Sequence, residues 1–487
     1  MLEAAGPLIR ADDALTRKLL AIVVPVIDAI APSQPSSDAM TVIHAERLSL
    51  LLALLEGVCG VNQVARRDEA EMARILDGLR RLLVRDDLDP ISSLRRLSPT
   101  ASPFHRQLFS ALYLVLHALG ADTGIAAMAT ASRTAPGVTT HALDDVVRVA
   151  IEASSIVFRA ASGAATEAER VELEADARLV NAVVLQAVRS RGCSSASVWL
   201  AYALRTDLFG AALGSIVAMR PAIASQALGL LLGLAESPMA AERIAAAGAI
   251  AVVSGNELTA LVETGAVAPR SDAHAVWRLE LSFVVRLLSV VGSTSAAFEA
   301  EIASFVLASA PQLVRPLRWT MDDPLPVALL DEMEAVVALV RALALPRKRG
   351  AIVDAALEPL IAGALALLSE LVYAVQHPNT LVDQIDPEPE ERAWADSEPE
   401  ASASSSLSEL GARPVTGPVV LAALGVICAI VDALVAFTHA FVPLKAIEID
   451  WPTDKAIVEP VRRFDSTSLT WRRARRRHAG GWRRAAR

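Results

Sequence analysis

From Ala240 to Leu345 the chain is a succession of apolar helical segments joined by short turns, and this stretch limits the fold more than any other feature. Trp277, Leu281, Val284, Leu288 and Val291 recur at alternating intervals of four and three, which is one face of an α-helix. Val276, Leu279, Phe283, Leu287 and Val290 form a second apolar row beside the first. Only Arg278, Ser282, Arg286 and Ser289 are left as a polar strip. So wide a stripe must be covered on more than one side. A lone surface helix needs a narrow stripe, whereas a helix inside a stack of helix pairs needs a broad one. The segment Val327 to Leu345 repeats the pattern with Leu329, Met333, Val336, Val340 and Leu343 on one face. Asp331, Glu332 and Glu334 lie near its start, where the helix dipole favours negative charge.

The rest of the chain extends this logic. Hydrophobic residues make up 53% of it and aromatics only 4%, so the apolar content is mostly Ala, Leu and Val. Ala and Leu are strong helix formers, and Ala lets helices approach closely. No run alternates as a half-buried strand does. The expected class is all-α. A length of 487 residues suits either several ordinary domains or a helical solenoid, in which each unit packs on its neighbours.

In chain order, helices are predicted at about Ala11–Ile30 (kinked at Pro25), Asp38–Cys59 and Val64–Val84. Ser102-Pro103 is a helix start, a capping serine followed by proline at the first position, and Phe104, Leu108, Leu112, Val115 and Leu119 line the helix it opens. Thr139–Ala161 and Thr166–Ser190 follow. Ser194–Ala235 reads as three helices broken near Asp207 and at Arg220-Pro221, and Ile352–Gln376 is a long helix after the PRKRG turn. The region 1–382 is therefore expected to be one solenoid. Residues 383–413 are acidic and rich in Pro and Ser and are expected to be a disordered loop. Residues 414–444 hold a last solenoid helix, and 445–487 form an irregular Arg-rich tail. Val419–Val442 is long enough to span a bilayer. Asp432 near its middle is costly in lipid, and no second comparable segment accompanies it, so membrane insertion is not expected.

Charge narrows the function classes. The net charge is −9, but Trp471–Arg487 contains eight arginines and no acid. Without that tail, 38 basic residues face 55 acidic ones, a balance of −17. Such a body is unsuited to binding nucleic acid through its surface charge. The tail reads as a nuclear-import or nucleic-acid patch, as a solvated terminus, or, from its abrupt change of composition, as the product of a misplaced exon boundary. Cys59, Cys193 and Cys428 are too few and too far apart for a disulfide framework or a zinc site, and read as buried thiols. Residues 1–10 do not read as a secretory leader.

No phosphate loop, HExxH, CxxC, GxSxG or EF-hand pattern is present. His44, His117 and His439 lie in helices with no ligand partner one turn away, and the pairs Asp86-Asp87, Asp144-Asp145 and Asp322-Asp323 read as loop or helix-start residues. No catalytic, cofactor-binding or metal-binding residue is assigned, no cofactor is expected, and an enzyme is not expected. Trp277 and Trp319 are the two aromatics that could meet a partner. Trp277 lies on the apolar stripe and is expected in the core, while Trp319 follows the Pro-containing LVRPLRW.

Segment order adds a family resemblance. Glu242–Val253, ERIAAAGAIAVV, resembles the turn between armadillo repeats. Phe104–His117, Glu242–Ile250, His274–Leu288, Ala310–Trp319 and Pro326–Val340 follow one another as in the C-terminal part of the large inner-ring scaffold nucleoporins, nucleoporin 188 type. The resemblance covers roughly Thr100 to Leu345. It implies an α-solenoid of armadillo/HEAT-like repeats at the nuclear pore, with a role in nuclear transport. It also implies linker nucleoporins as partners, docking short helical segments onto the solenoid. No partner-binding residue can be matched position by position. Family members are several times longer, so the chain is expected to correspond to a C-terminal piece, and the Arg-rich end has no counterpart. The alternative is a soluble armadillo/HEAT-type peptide-binding adaptor. Its import-receptor form, with a groove lined by regularly spaced Asn and Trp, fits poorly with four asparagines (Asn62, Asn181, Asn256 and Asn379).

Overall fold

A computed structural model describes residues 22–23, 25–27, 46–55, 69–84, 102–121, 136–163, 166–190, 196–217, 220–256, 271–292, 296–344, 351–377, 384–386, 427 and 430. The described residues are almost entirely helical, and each of the two compact units into which the chain divides, Met1–Val252 and Val253–Arg487, is a stack of helices. This is the expected all-α class. The division falls inside the 1–382 region.

The first unit contains α1 (Glu69–Leu83), α2 (Ser102–Ala121), α3 (Pro136–Gly163), α4 (Glu167–Arg189), α5 (Ala196–Arg205), α6 (Leu208–Val217), α7 (Pro221–Leu234) and α8 (Pro238–Ala246). Helix α9 (Ala249–Ser254) crosses the boundary. Helix α3 is the hub, packing against α1, α4, α5 and α6, while α4 also packs against α2 and α7. Covered on several sides, α3 buries Val146, Val147, Val149, Ala150, Ile151, Ala153, Val157 and Phe158, which is the wide stripe such a position demands.

Local chemistry sets the ends of these helices. Thr166 caps α4 in a capping box. Its hydroxyl accepts from the Glu169 N–H, and the Glu169 carboxylate accepts from the Thr166 N–H. Pro221 and Pro238 open α7 and α8 at positions where the missing N–H costs nothing. The α5–α6 break is at Asp207, which adopts a left-handed φ of 52°, a conformation Asp tolerates better than most residues. In the AAAGAI turn Gly248 adopts φ 81° to redirect the chain from α8 into α9. Gly233 marks a close helix approach, since a Cβ there would lie 2.4 Å from Leu185 Cδ2 of α4.

The second unit contains α10 (Asp272–Val291), α11 (Ala296–Ala308), α12 (Ala310–Val314), a 3-10 turn (Pro316–Arg318), α13 (Val327–Ala344) and α14 (Ala351–Gln376). Helix α10 packs on α13, and α14 packs against α11, α12, α13 and the 3-10 turn. Ser271 caps α10 by accepting from the His274 N–H. Leu325–Pro326 (β1) pairs in parallel with Ile385–Asp386 (β2), a two-residue contact that ties residues 385–386, within the acidic segment, to the chain entering α13. Apart from 384–386, residues 383–413 lie outside the described residues, as do the whole of 445–487 and Cys59, Cys193, Cys428, His44, His439 and Asp86-Asp87. From 414–444, Ile427 and Ile430 are described, both helical and buried.

One expectation needs correcting. Among the described residues one helical segment, Leu357–Ala374 within α14, is long and apolar enough to cross a membrane, with 39% of it buried. Its Leu360, Ala364, Leu367 and Leu371 are fully buried.

Candidate functional site

Among the described residues several polar side chains form bridges between helices. In the first unit Ser154 Oγ on α3 donates to Asn181 Oδ1 on α4 (3.1 Å), and Asn181 Nδ2 donates to the Gln226 carbonyl on α7 (3.0 Å). One buried asparagine thus joins three helices, which fixes their register because each polar atom requires its partner. Arg106 of α2 donates through Nε to Asp176 Oδ1 of α4 at 2.6 Å. The hydrogen bond to Asp176 raises the Arg106 pKa further above its already high value. Arg80 of α1 reaches Asp145 Oδ2 of α3 at 2.9 Å. Asp145 is therefore a mid-helix ion-pair partner and not a helix-start residue.

The second unit holds the most heavily buried charges. Glu332 on α13 has a side chain only 2% exposed. His274 Nε2 lies 2.6 Å from its Oε1, so the ring donates through Nε2. Arg315, at the end of α12, donates through Nη2 to Oε1 and Oε2 at 2.9 and 2.8 Å. Burial pushes the Glu332 pKa up, but the His274 hydrogen bond and the Arg315 charge outweigh it, and the carboxyl is held below its ordinary range. Three elements are thereby clasped around one ionised carboxylate.

Two turns further along α10, Glu280 is fully buried with a different set of neighbours. Asn256 Nδ2 donates to Glu280 Oε1 at 2.6 Å. Glu280 Oε2 has no hydrogen-bond partner among the described residues. Burial pushes its pKa up to about 8, only partly offset by the Asn256 hydrogen bond. At neutral pH Glu280 is therefore predominantly a neutral acid.

Both tryptophans singled out from the sequence are core residues. Trp277 stacks on Phe305 with ring centroids 6.3 Å apart. Trp319 is buried, and its Nε1 donates to the Asp323 carbonyl. Asp323 is a turn residue, accepting from the N–H and hydroxyl of Thr320. His117 stacks against Tyr113 on α2. Among the described residues no group of three His, Cys, Asp or Glu side chains is placed to hold a metal ion.

His274, Glu280 and Glu332 were not assigned from the sequence, although a signal was present. His274 lies three residues before Trp277 on its stripe, and Glu280 falls in the Val276–Phe283–Leu287 row. Glu332 is in phase with Leu329 and Val336. An ionisable residue in register with an apolar stripe is a candidate buried charge, and the dipole reading of Glu332 overlooked this.

No protein-family model and no curated protein match the chain. Among solved structures it is similar to Nup188 residues 1445–1827 from Myceliophthora thermophila, at 19% identity over 76% of this chain and 99% of that one, with a TM-score of 0.49. It is also similar to SYS-1 alone and SYS-1 in complex with POP-1, at 11% and 12% identity. Each of those alignments covers 93% of this chain and 86% of the other, with a TM-score of 0.27.

Proposed function

We propose that this protein is a non-enzymatic structural scaffold of the nuclear pore inner ring, of the nucleoporin 188 type. In this reading it docks linker nucleoporins through short helical segments and so supports nucleocytoplasmic transport. The observation that supports the reading is the ordered set of five segments, each of which lies largely on helical structure. Phe104–His117 lies in α2, Glu242–Ile250 spans the α8–α9 turn, and His274–Leu288 lies in α10. Ala310–Trp319 forms α12 with the 3-10 turn and the residue after it, and Pro326–Val340 enters and forms α13. The interior bridges also suit a scaffold, because they fix helix register.

The test is the position of a fluorescently tagged copy in living cells of the source organism, paired with co-precipitation of endogenous linker nucleoporins. The proposal expects a punctate nuclear-rim signal and recovery of those partners. A diffuse signal, with tagged protein that is folded but recovers no nucleoporin, would contradict it and favour a peptide-binding adaptor of another pathway.

A further inference from the structure

We propose that the ridge formed by the end of α11, α12 and the 3-10 turn is a docking surface for an acidic peptide of a partner protein. Leu307 and Pro311 receive an apolar side chain of that peptide, and Arg315 and Arg318 receive its carboxylates. The backbone makes the ridge continuous. The Ser309 N–H donates to the Phe305 carbonyl and the Leu313 N–H to the Ser309 carbonyl, so helical geometry carries through the junction of α11 and α12. Leu307, Pro311 and Arg315 then recur at intervals of four, on one face. Arg318 lies three residues beyond Arg315 along the 3-10 turn, where side chains three apart eclipse. All four are exposed, Leu307 by 48%. On the opposite side Leu313 and Leu317 are buried, and α14 packs against both α12 and the 3-10 turn, which holds the ridge in place.

The two arginines contribute differently. Arg315 uses only Nη2 towards Glu332 and His274. Nε and Nη1 have no partner among the described residues, and the side chain is 44% exposed. Its charge is shared with Glu332, so it offers donors that are already placed. Arg318 has no side-chain hydrogen bond or ion pair among the described residues and offers uncompensated charge. The acids that follow do not neutralise it. Asp323 accepts from Thr320, Glu370 accepts from the Met321 N–H, and Asp322 forms no ion pair among the described residues. Placed guanidinium donors and a free positive charge suit carboxylates, which form charge-assisted hydrogen bonds. A nucleic acid fits less well, because its phosphates would meet Asp322 and Asp323 and it has no group for the apolar end. Nothing in this surface depends on the nuclear-pore reading, and binding is measured apart from nuclear-rim position.

The probe is a fluorescent helical peptide with leucines on one turn and glutamates on the next, titrated with the full chain and followed by anisotropy. Saturable binding that weakens as salt rises is expected. The same peptide with glutamine in place of glutamate should bind at least about tenfold more weakly. Arg318→Glu should also lower affinity about tenfold or more, by placing like charges together, and leave the melting temperature unchanged. Leu307→Asp should weaken binding as well, and if it does not fold, Arg318→Glu decides. No binding of the glutamate peptide, equal binding of its glutamine counterpart, or unchanged affinity in Arg318→Glu would overturn the proposal. A chain lacking residues 387–413, themselves acidic, separates a partner from an internal occupant. Unchanged affinity after the deletion sustains docking of a partner. Binding seen only after the deletion would give the ridge to the chain's own acidic segment and overturn the proposal.

Discussion

Glu332 and Glu280 are both glutamates in the interior of the second unit, and their surroundings put them in opposite states. Glu332 has a guanidinium and an imidazole within hydrogen-bonding distance. Glu280 has one amide. The first arrangement offsets the cost of burying charge and keeps the carboxylate ionised. The second leaves too little compensation, and the group stays protonated. Burial alone therefore does not decide what a core acid does. The count and charge of its partners decide it, and here those partners come from different helices.

Several substitutions would sharpen or break that contrast. The largest effect is expected for Glu332→Gln, which leaves His274 buried beside a neutral amide and deprives Arg315 of its counter-ion. Arg315 is 44% exposed and can turn to water, so the loss is set at the low end for a broken buried pair, about 3 kcal/mol by urea midpoint. Because the folded pKa of Glu332 is lowered, its contribution is present above about pH 4.5 and is lost as pH falls through the lowered value. The variant should accordingly lack part of the wild-type acid sensitivity.

Glu280→Gln should act in the opposite direction. The raised folded pKa means that wild-type stability is lost between about pH 4.5 and 8. The variant is expected to be more stable at pH 8, with the difference vanishing below pH 5 in thermal melts. In the first unit Asp176→Asn weakens the bond from Arg106, and a loss of about 1–2 kcal/mol is expected, since Asp176 is only 10% exposed. The smallest effect is expected at the exposed Arg189–Glu236 pair, where the shorter contact is 2.6 Å. Arg189→Ala should change stability by at most about 0.5–1 kcal/mol despite this geometry, because water screens the charges. A large loss there would mean that exposed ion pairs also fix the helix stack.

The helices were legible in the sequence because their signals are local. The 3.6-residue period placed α10 at Asp272–Val291, as observed. The Ser102-Pro103 start, the helix beginning near Thr166 and the breaks at Asp207 and Arg220-Pro221 are likewise where the helices begin or turn. Trp277 on its stripe also went where the stripe predicted. The interior polar bridges were not legible, because each depends on which helices meet. Arg315 and His274 are 41 residues apart and converge on Glu332 only through the packing of α10, α12 and α13. Asn181 looked like one scattered asparagine among four until α3, α4 and α7 met around it. The pairing of Leu325–Pro326 with Ile385–Asp386 had no sequence signal, since two-residue strands lack a period.

The infrared carboxyl spectrum of the folded protein at pH 7 tests the contrast between the two glutamates most directly. Protonated carboxyls absorb apart from carboxylates, and an ordinary Asp or Glu is ionised at this pH. A protonated band is expected in the wild type and in Glu332→Gln, and is expected to be lost in Glu280→Gln. No protonated band in the wild type, or a band lost in Glu332→Gln and kept in Glu280→Gln, would contradict the account.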